Sequence, residues 1–328
     1  MRYRPLGTNG PSVSTIGFGA MVLSPGVYHE VNDRESEATL EAALDSGVNF
    51  LDTADIYGAG HNERLVGRVI AGRRDQVVLA TKFGGNSDES GATVPGLGRP
   101  DYVRKAIDAS LGRLGTDHVD VYYQHRVDPT TPIEETVGAM AELVAAGKVG
   151  HLGLSEVSAA TLRRAHTVQP IAALQTEYSL LTRDPEGEVL EACVELGTAF
   201  VAYSPLGRGL LGGVLRGAAD LHPRDWRLGN SPRFQGDNLD RNLRLTDSLR
   251  ELAAAEGIEV AQLALAWVLH RATVAIPGTR NADRARSNSA AADIDLDAET
   301  LRRLDDLIPV DAVAGARGDE AYLGRVDS

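Results

Sequence analysis

The 328-residue chain alternates short apolar runs with longer amphipathic segments, and does so eight times. The apolar runs, expected as strands, are 13–19, 49–53, 77–82, 119–124, 149–154, 171–175, 199–203 and 273–276. Between them helical periodicity recurs, as in 34–46, 100–114, 132–146, 159–167, 187–196 and 260–271. Gly47, Gly147 and Gly197 stand where three of these helices should stop. Apolar strands each followed by a helix must bury both faces, which favours a parallel sheet closed into an α/β (β/α)8 TIM-type barrel. An open doubly wound sheet is the rival, but no GxGxxG opens the first strand–helix unit. A hairpin over 3–19, turning at Asn9-Gly10, precedes the barrel. The expectation is one barrel domain over 1–328, with long loops able to cover a cofactor.

A barrel places its reactive groups at the C-terminal ends of the strands. Those ends carry Asp52 and Tyr57, Lys82, His125, Ser155, Gln175, Ser204 and the run Pro277-Gly278-Thr279-Arg280. Polar groups therefore gather on one rim. A free tyrosine, with a pKa near ~10, is a weak acid at neutral pH. An adjacent ammonium such as Lys82 stabilises phenolate and lowers that value. Asp52 can pair with Lys82, and His125 can hydrogen-bond a substrate oxygen. Such a set polarises a carbonyl and protonates the resulting alkoxide, but it holds no hydride, so a cofactor is required. Singly, each residue would read as a cap, a packed aromatic or a solvated charge; together they read as a site.

Composition narrows the partners. A net charge of −13 argues against nucleic acid and anionic membranes. No stretch approaches the roughly 18 apolar residues of a membrane span. The single cysteine, Cys193, permits no internal disulfide and fits a reducing, cytoplasmic compartment. The histidines show no metal-ligand spacing, so no metal is expected. A small-molecule carbonyl compound is the expected partner, with monomer and homo-oligomer both open.

The run Asn49-Phe50-Leu51-Asp52-Thr53-Ala54-Asp55-Ile56-Tyr57-Gly58 resembles the signature of the aldo-keto reductases. Ala80-Thr81-Lys82, Tyr123-Gln124-His125, Gly153-Leu154-Ser155, Leu174-Gln175-Thr176-Glu177-Tyr178 and Tyr203-Ser204-Pro205-Leu206-Gly207-Arg208-Gly209 follow in that family's order. The resemblance implies NADPH-dependent reduction of aldehydes or ketones, reversible as alcohol oxidation. It makes Tyr57 the proton donor, Lys82 the group that lowers its pKa, Asp52 the partner of Lys82, and His125 the residue that orients the carbonyl. For the cofactor it implies Gly19, Ala20 and Met21, then Ser155, Glu156 and Gln175, with Tyr203 stacked on the nicotinamide. Ser204, Pro205, Leu206, Gly207, Arg208 and Gly209 would cover the pyrophosphate. Pro277, Gly278, Thr279, Arg280, Arg284, Ser287 and Asn288 would hold the adenosine end, with Arg280 and Arg284 reading the 2′-phosphate.

Glu156 stands where many relatives have Asn, and with Asp225-Trp226-Arg227 and Pro232-Arg233-Phe234 it resembles the pyridoxal-reductase-like and perakine-reductase-like branch. Gly278 replaces a common lysine, and Ser287 a common glutamate. Met21, Val22, Tyr28, His29, Phe83, Arg126 and Trp226 fall where substrate-pocket loops belong. The segment 205–242, rich in Gly and Arg, reads as a cofactor lid whose unpaired arginines await an anion. A cofactor-sensing regulatory subunit resembling potassium-channel β-subunits is the alternative, and a phosphate-handling barrel lyase or isomerase a third reading.

Overall fold

The computed structural model describes residues 1–28, 30–87 and 92–327; His29 of the expected pocket lies outside them. A short antiparallel hairpin comes first, β1 (Tyr3–Pro5) with β2 (Ser12–Ser14), in the register Tyr3 to Ser14. Eight strands follow: β3 (Phe18–Gly19), β4 (Phe50–Asp52), β5 (Val78–Phe83), β6 (Val119–Gln124), β7 (Val149–Ser155), β8 (Ile171–Glu177), β9 (Ala199–Tyr203) and β10 (Val274–Ile276). Each pairs in parallel with the next, from β3 through to β10. Ile16 closes the ring on Ala275, with the Gly17 amide donating to the Ala275 carbonyl at 2.9 Å and the Ala275 amide to Thr15 at 2.9 Å. This is the (β/α)8 barrel expected from the alternation.

The expected run 13–19 is not one strand. Its first residues belong to β2 and its last to β3, because local side chains take over the backbone groups between them. Ser14 Oγ donates to the Ile16 carbonyl at 2.7 Å, and Asn49 Oδ1 accepts the Ser14 amide at 2.7 Å. The bend turns the hairpin under the barrel as a floor. Leu6 and Val13 from the hairpin join Phe50, Ala80, Val121, Tyr123, Ala173, Val201, Val274 and Ile276 in an apolar cluster that fills the barrel interior. A second, larger cluster fills the space between strands and helices. The barrel interior is thus packed below its rim, and the C-terminal strand ends are left to form a cavity.

The helices are α1 (Asp33–Asp45), α2 (His61–Ile70), α3 (Pro100–Leu114), α4 (Ile133–Ala145), α5 (Ala159–Val168), α6 (Glu188–Leu196), α7 (Trp226–Asn230), α8 (Asp237–Ala255), α9 (Val260–Arg271), α10 (Ala282–Ala290), α11 (Ala298–Leu307) and α12 (Glu320–Leu323). Asn32, Ser158, Asn281 and Asp297 cap four of them with side-chain oxygens on backbone amides. Gly197 ends α6 in the left-handed region at φ 64°, as its position after the apolar run predicts.

Two segments depart from the barrel pattern and both cross its rim. Between β9 and α9 the chain makes tight turns at Gly207–Gly212 and Ala218–Asp220, then α7 and α8. The Trp226 amide donates to the Val27 carbonyl at 3.2 Å, tying this strap to the loop after β3. After α11 the tail returns across the opposite side. Asn242 of α8 exchanges two hydrogen bonds with Ala314, both at 2.9 Å. Asp327 accepts the Ser158 amide at 3.0 Å, and its own amide donates to the Glu156 carbonyl at 3.1 Å.

Candidate active site

β4 and β5 are adjacent, with Asp52 in register with Ala80, so Asp52 and Lys82 leave the sheet side by side. Both are buried, Lys82 completely. The ammonium donates to Asp52 Oδ1, to the Thr53 carbonyl at 2.9 Å and to Tyr57 Oη at 3.4 Å. An ammonium has three N–H bonds, and these three acceptors use them all. Gln175 Nε2 donates to the other Asp52 oxygen at 2.7 Å, so both carboxylate oxygens are engaged. His125 stands edge-on to Tyr57, with ring centroids 5.8 Å apart and planes at 87°.

The charges follow from this packing. Burial alone would depress the Lys82 ammonium, but Asp52 and Tyr57 reverse the effect and raise it. Burial pushes Asp52 up, and Lys82 followed by Gln175 offsets this only in part. The use of all three ammonium hydrogens supports the ionised pair. For Tyr57 the balance differs from the sequence expectation. Burial raises the phenol above its ordinary value, and the opposing pull of Lys82 only partly offsets it. Lys82 therefore lowers a value that desolvation has raised, and the phenol keeps its proton at neutral pH. Burial, then Arg126, Lys82 and Arg325, hold His125 well below its ordinary value, so the imidazole is neutral. Its Nδ1 is buried against Gly85 without a partner among the described residues, which leaves Nε2 as the nitrogen available to the rim.

Above these groups lies a cavity of about 1070 Å³, running from His125 past Tyr203 to Arg280. Its wall includes Gly19, Met21, Asp52, Tyr57, His125, Ser155, Gln175, Tyr203, Ser204, Pro205, Leu206, Arg208 and Gly209, and at the far end Pro277, Gly278, Thr279, Arg280 and Arg284. Val22, Tyr28, Arg126 and Trp226 also face it.

Other expected residues lie elsewhere. Phe83 is fully buried and stacks on Tyr122 at 4.8 Å, because the last residue of β5 points outward into the helix layer. Ala20 is buried, its carbonyl accepting from Asn62 at 2.8 Å. Gly207 packs on Leu181. Ser287 donates to Glu259 at 2.7 Å, away from the cavity, and Asn288 is buried behind the wall. Glu156 is also behind it. Its carboxylate forms a double ion pair with Arg317, both contacts at 2.8 Å, and accepts the Tyr203 hydroxyl at 2.6 Å. These bonds hold its pKa down at about 2 despite burial. Nor do three of the strap arginines wait unpaired: Arg208 meets Glu177 at 2.9 Å, Arg227 meets Asp225 at 2.7 Å, and Arg224 meets Glu30 at 3.3 Å.

A family model, the Aldo/keto reductase family, matches residues 15–309. The chain belongs to the aldo/keto reductase family. A soybean (Glycine max) relative described as "Probable aldo-keto reductase 1" is 42% identical over 315 residues, covering 95% of this chain and 90% of that one. Among solved structures, the glycerol dehydrogenase AKR11B4 from Gluconobacter oxydans superposes with a TM-score of 0.82 at 30% identity, covering 93% of this chain and 94% of its own. The aldo-keto reductase AKR11C1 from Bacillus halodurans, in its holo form, gives a TM-score of 0.77 at 28% identity, over 94% and 97% of the two chains. The protein is accordingly an oxidoreductase of carbonyl compounds, in a family that uses nicotinamide cofactors.

The cavity of this aldo/keto reductase suits such a cofactor. At its far end Arg280 Nη1 is buried with no hydrogen-bond partner among the described residues. Burial and the neighbouring Arg227 depress that guanidinium, as expected of a cation lacking a counter-charge. A Cβ on Gly278 would come within 2.5 Å of the Gly19 carbonyl, so the β3 and β10 loops meet there only through glycine. At the near end the Tyr203 ring is fixed by its hydroxyl, bonded to Glu156 and, at 2.6 Å, to Tyr322.

Tyr322, Arg317 and Arg325 are functional-site neighbours that the sequence reading leaves in an irregular tail. Tyr322 and Arg325 line the cavity. Two arginines and a tyrosine within nine residues of otherwise featureless sequence were the available signal.

Beneath the site Asp55 stands beside Glu63, which is bound to Thr81 at 2.7 Å and ion-paired to Arg113. Asp55 Oδ1 has no partner among the described residues, and burial followed by repulsion from Glu63 raises its pKa to about 7. A carboxyl raised on folding binds its proton more tightly in the folded state. Its contribution therefore favours folding below the unfolded value of about 4 and is lost as pH climbs towards 7. Asp55→Asn should raise the Tm at pH 8 and raise it by less at pH 5, as measured by thermal melts at both pH values. A loss of Tm at pH 8 would show that the ionised carboxylate stabilises the fold.

Proposed function

We propose that the protein reduces aldehydes or ketones to alcohols with NADPH, Tyr57 supplying the proton. The observation that carries this reading is the donor count at Lys82. Its third N–H points at Tyr57 Oη and occupies an oxygen lone pair, which directs the phenol's own O–H away from Lys82 and into the cavity. A substrate oxygen there receives one hydrogen bond from Tyr57 and one from neutral His125. Tyr203 would hold a nicotinamide, which when bound would supply the hydride. As negative charge grows on the substrate oxygen, Tyr57 passes its proton, and Lys82 stabilises the phenolate left behind. Asp52 keeps Lys82 charged without competing for the proton, because both of its oxygens already accept hydrogen bonds.

The reverse reaction uses the same groups in the opposite sense. Tyr28, Trp226 and Arg126 line the cavity that would hold the substrate. A purely regulatory role would leave this proton path without a use.

Tyr57→Phe should reduce turnover of 4-nitrobenzaldehyde by at least about 100-fold, the lower range for general acid catalysis, while NADPH binding by fluorescence titration stays near wild type. Wild-type turnover in that variant would remove Tyr57 from the mechanism. At the other end, Arg280 is the group proposed to read the 2′-phosphate, with Arg284 beside it. Arg280→Ala should weaken NADPH about tenfold or more, the scale of one charge-assisted hydrogen bond, and leave NADH within about twofold. Equal weakening of both cofactors would assign Arg280 to the loop rather than the phosphate.

A further inference from the structure

Four guanidinium groups surround the ring of Tyr322: Arg208 at 5.5 Å from its centroid, Arg325 at 5.7 Å, Arg126 at 5.8 Å and Arg317 at 5.9 Å. Two buried carboxylates answer two of them. Glu177 pairs with Arg208 at 2.9 Å, and Glu156 pairs with Arg317 at 2.8 Å. Arg126 and Arg325 form no ion pair among the described residues. Both line the cavity, on the side where His125 stands.

Arg126 is more than nine-tenths buried, and its bonds are to neutral groups: the His125 carbonyl at 2.6 Å and Ser155 Oγ at 3.3 Å. Arg325 is half-buried, and its Nε is buried with no partner among the described residues. Each depresses the tendency of His125 to accept a proton, so both fields reach the reacting position. Burial and the neighbouring Arg126 depress the Arg325 guanidinium, so its charge is costly in this partly dry pocket, whereas Tyr203, Tyr322 and Glu156 offset the burial of Arg126. A bound anion removes that cost. The cationic end by Arg280 lies at the opposite extreme of the cavity, so the cofactor's phosphates do not account for this one.

We infer that the substrate is a small aldehyde or ketone bearing an anionic group, a carboxylate or a phosphate. Arg126 and Arg325 grip the anion while Tyr57 and His125 hold the carbonyl oxygen. The guanidinium forks suit either group, since both present paired oxygens. The same field also draws anions into a rim that belongs to a protein of net charge −13. This inference rests on the reductase reading above, and it adds the class of carbonyl compound.

Two matched probe pairs test it: 4-carboxybenzaldehyde against 4-nitrobenzaldehyde, and glyceraldehyde 3-phosphate against glyceraldehyde. In the wild-type protein with NADPH, kcat/KM should favour the anionic member of at least one pair by about tenfold or more, mainly through KM. A preference in the first pair alone assigns a carboxylate, and in the second alone a phosphate. In Arg325→Gln that preference should shrink about tenfold, and Arg325→Lys should restore part of it. Binding is read separately by calorimetric titration of 4-(hydroxymethyl)benzoate into the NADPH-loaded protein, where Arg325→Gln should weaken the complex by a similar factor. If none of the four aldehydes is reduced, the reductase reading fails, while the titration still reports on the anion site. Equal kcat/KM within both pairs, or a preference unmoved by Arg325→Gln, overturns the anionic class; a titration indifferent to Arg325→Gln excludes the carboxylate.

Discussion

The structure depends on one buried cation. Lys82 sits wholly inside the barrel rim, and a lone ammonium there would carry a large desolvation cost. Asp52 on the neighbouring strand offsets it, Gln175 from across the barrel holds Asp52, and the Thr53 carbonyl and Tyr57 take the remaining N–H bonds. The pair is therefore not adaptable. Its geometry is set by β4, β5 and β8, which the solid apolar interior keeps in register. Chemistry that needs a phenol proton aimed in one direction obtains that direction from the barrel itself.

A second set of buried charges ties the strap and the tail to this frame. Glu156 and Glu177 stand at the ends of β7 and β8 and bind arginines from the strap and the tail. Glu156 adopts a left-handed backbone at φ 55°, an unusual conformation outside glycine. Its hydrogen bonds to Tyr203, Arg317 and the Glu177 amide hold it there. The carboxylate is thus an anchor behind the cavity wall. The anchor fixes Tyr203 and, through Arg317, the tail that delivers Tyr322 and Arg325.

The barrel and the tetrad were legible in the sequence because they depend on local patterns. Short apolar runs can only be strands covered on both faces, and Asp52, Tyr57, Lys82 and His125 all lie at or just past the ends of such runs. Phe83 was misplaced because strand alternation turns it outward one residue after Lys82, a distinction that the run's end does not reveal. The strap arginines were misread for a different reason. Their carboxylate partners, Glu177, Asp225 and Glu30, are mostly far away along the chain and become neighbours only on folding. The tail was opaque because it has little secondary structure of its own; its place is set by Asn242, Glu156 and Ser158, contacts made across long separations.

The central claim is that Tyr57 is a protonated phenol whose proton is aimed at the substrate by a charged Lys82. Labelling tyrosine with 13C at Cζ and titrating the cofactor-free protein tests this directly, with Tyr57→Phe assigning the resonance. The account predicts that the Tyr57 signal keeps its phenol shift to beyond about pH 10, the ordinary tyrosine value, since burial outweighs Lys82. In Lys82→Met the signal should resist ionisation to still higher pH. A Tyr57 resonance already in its phenolate position at pH 7, or one whose titration is indifferent to Lys82→Met, would contradict the account.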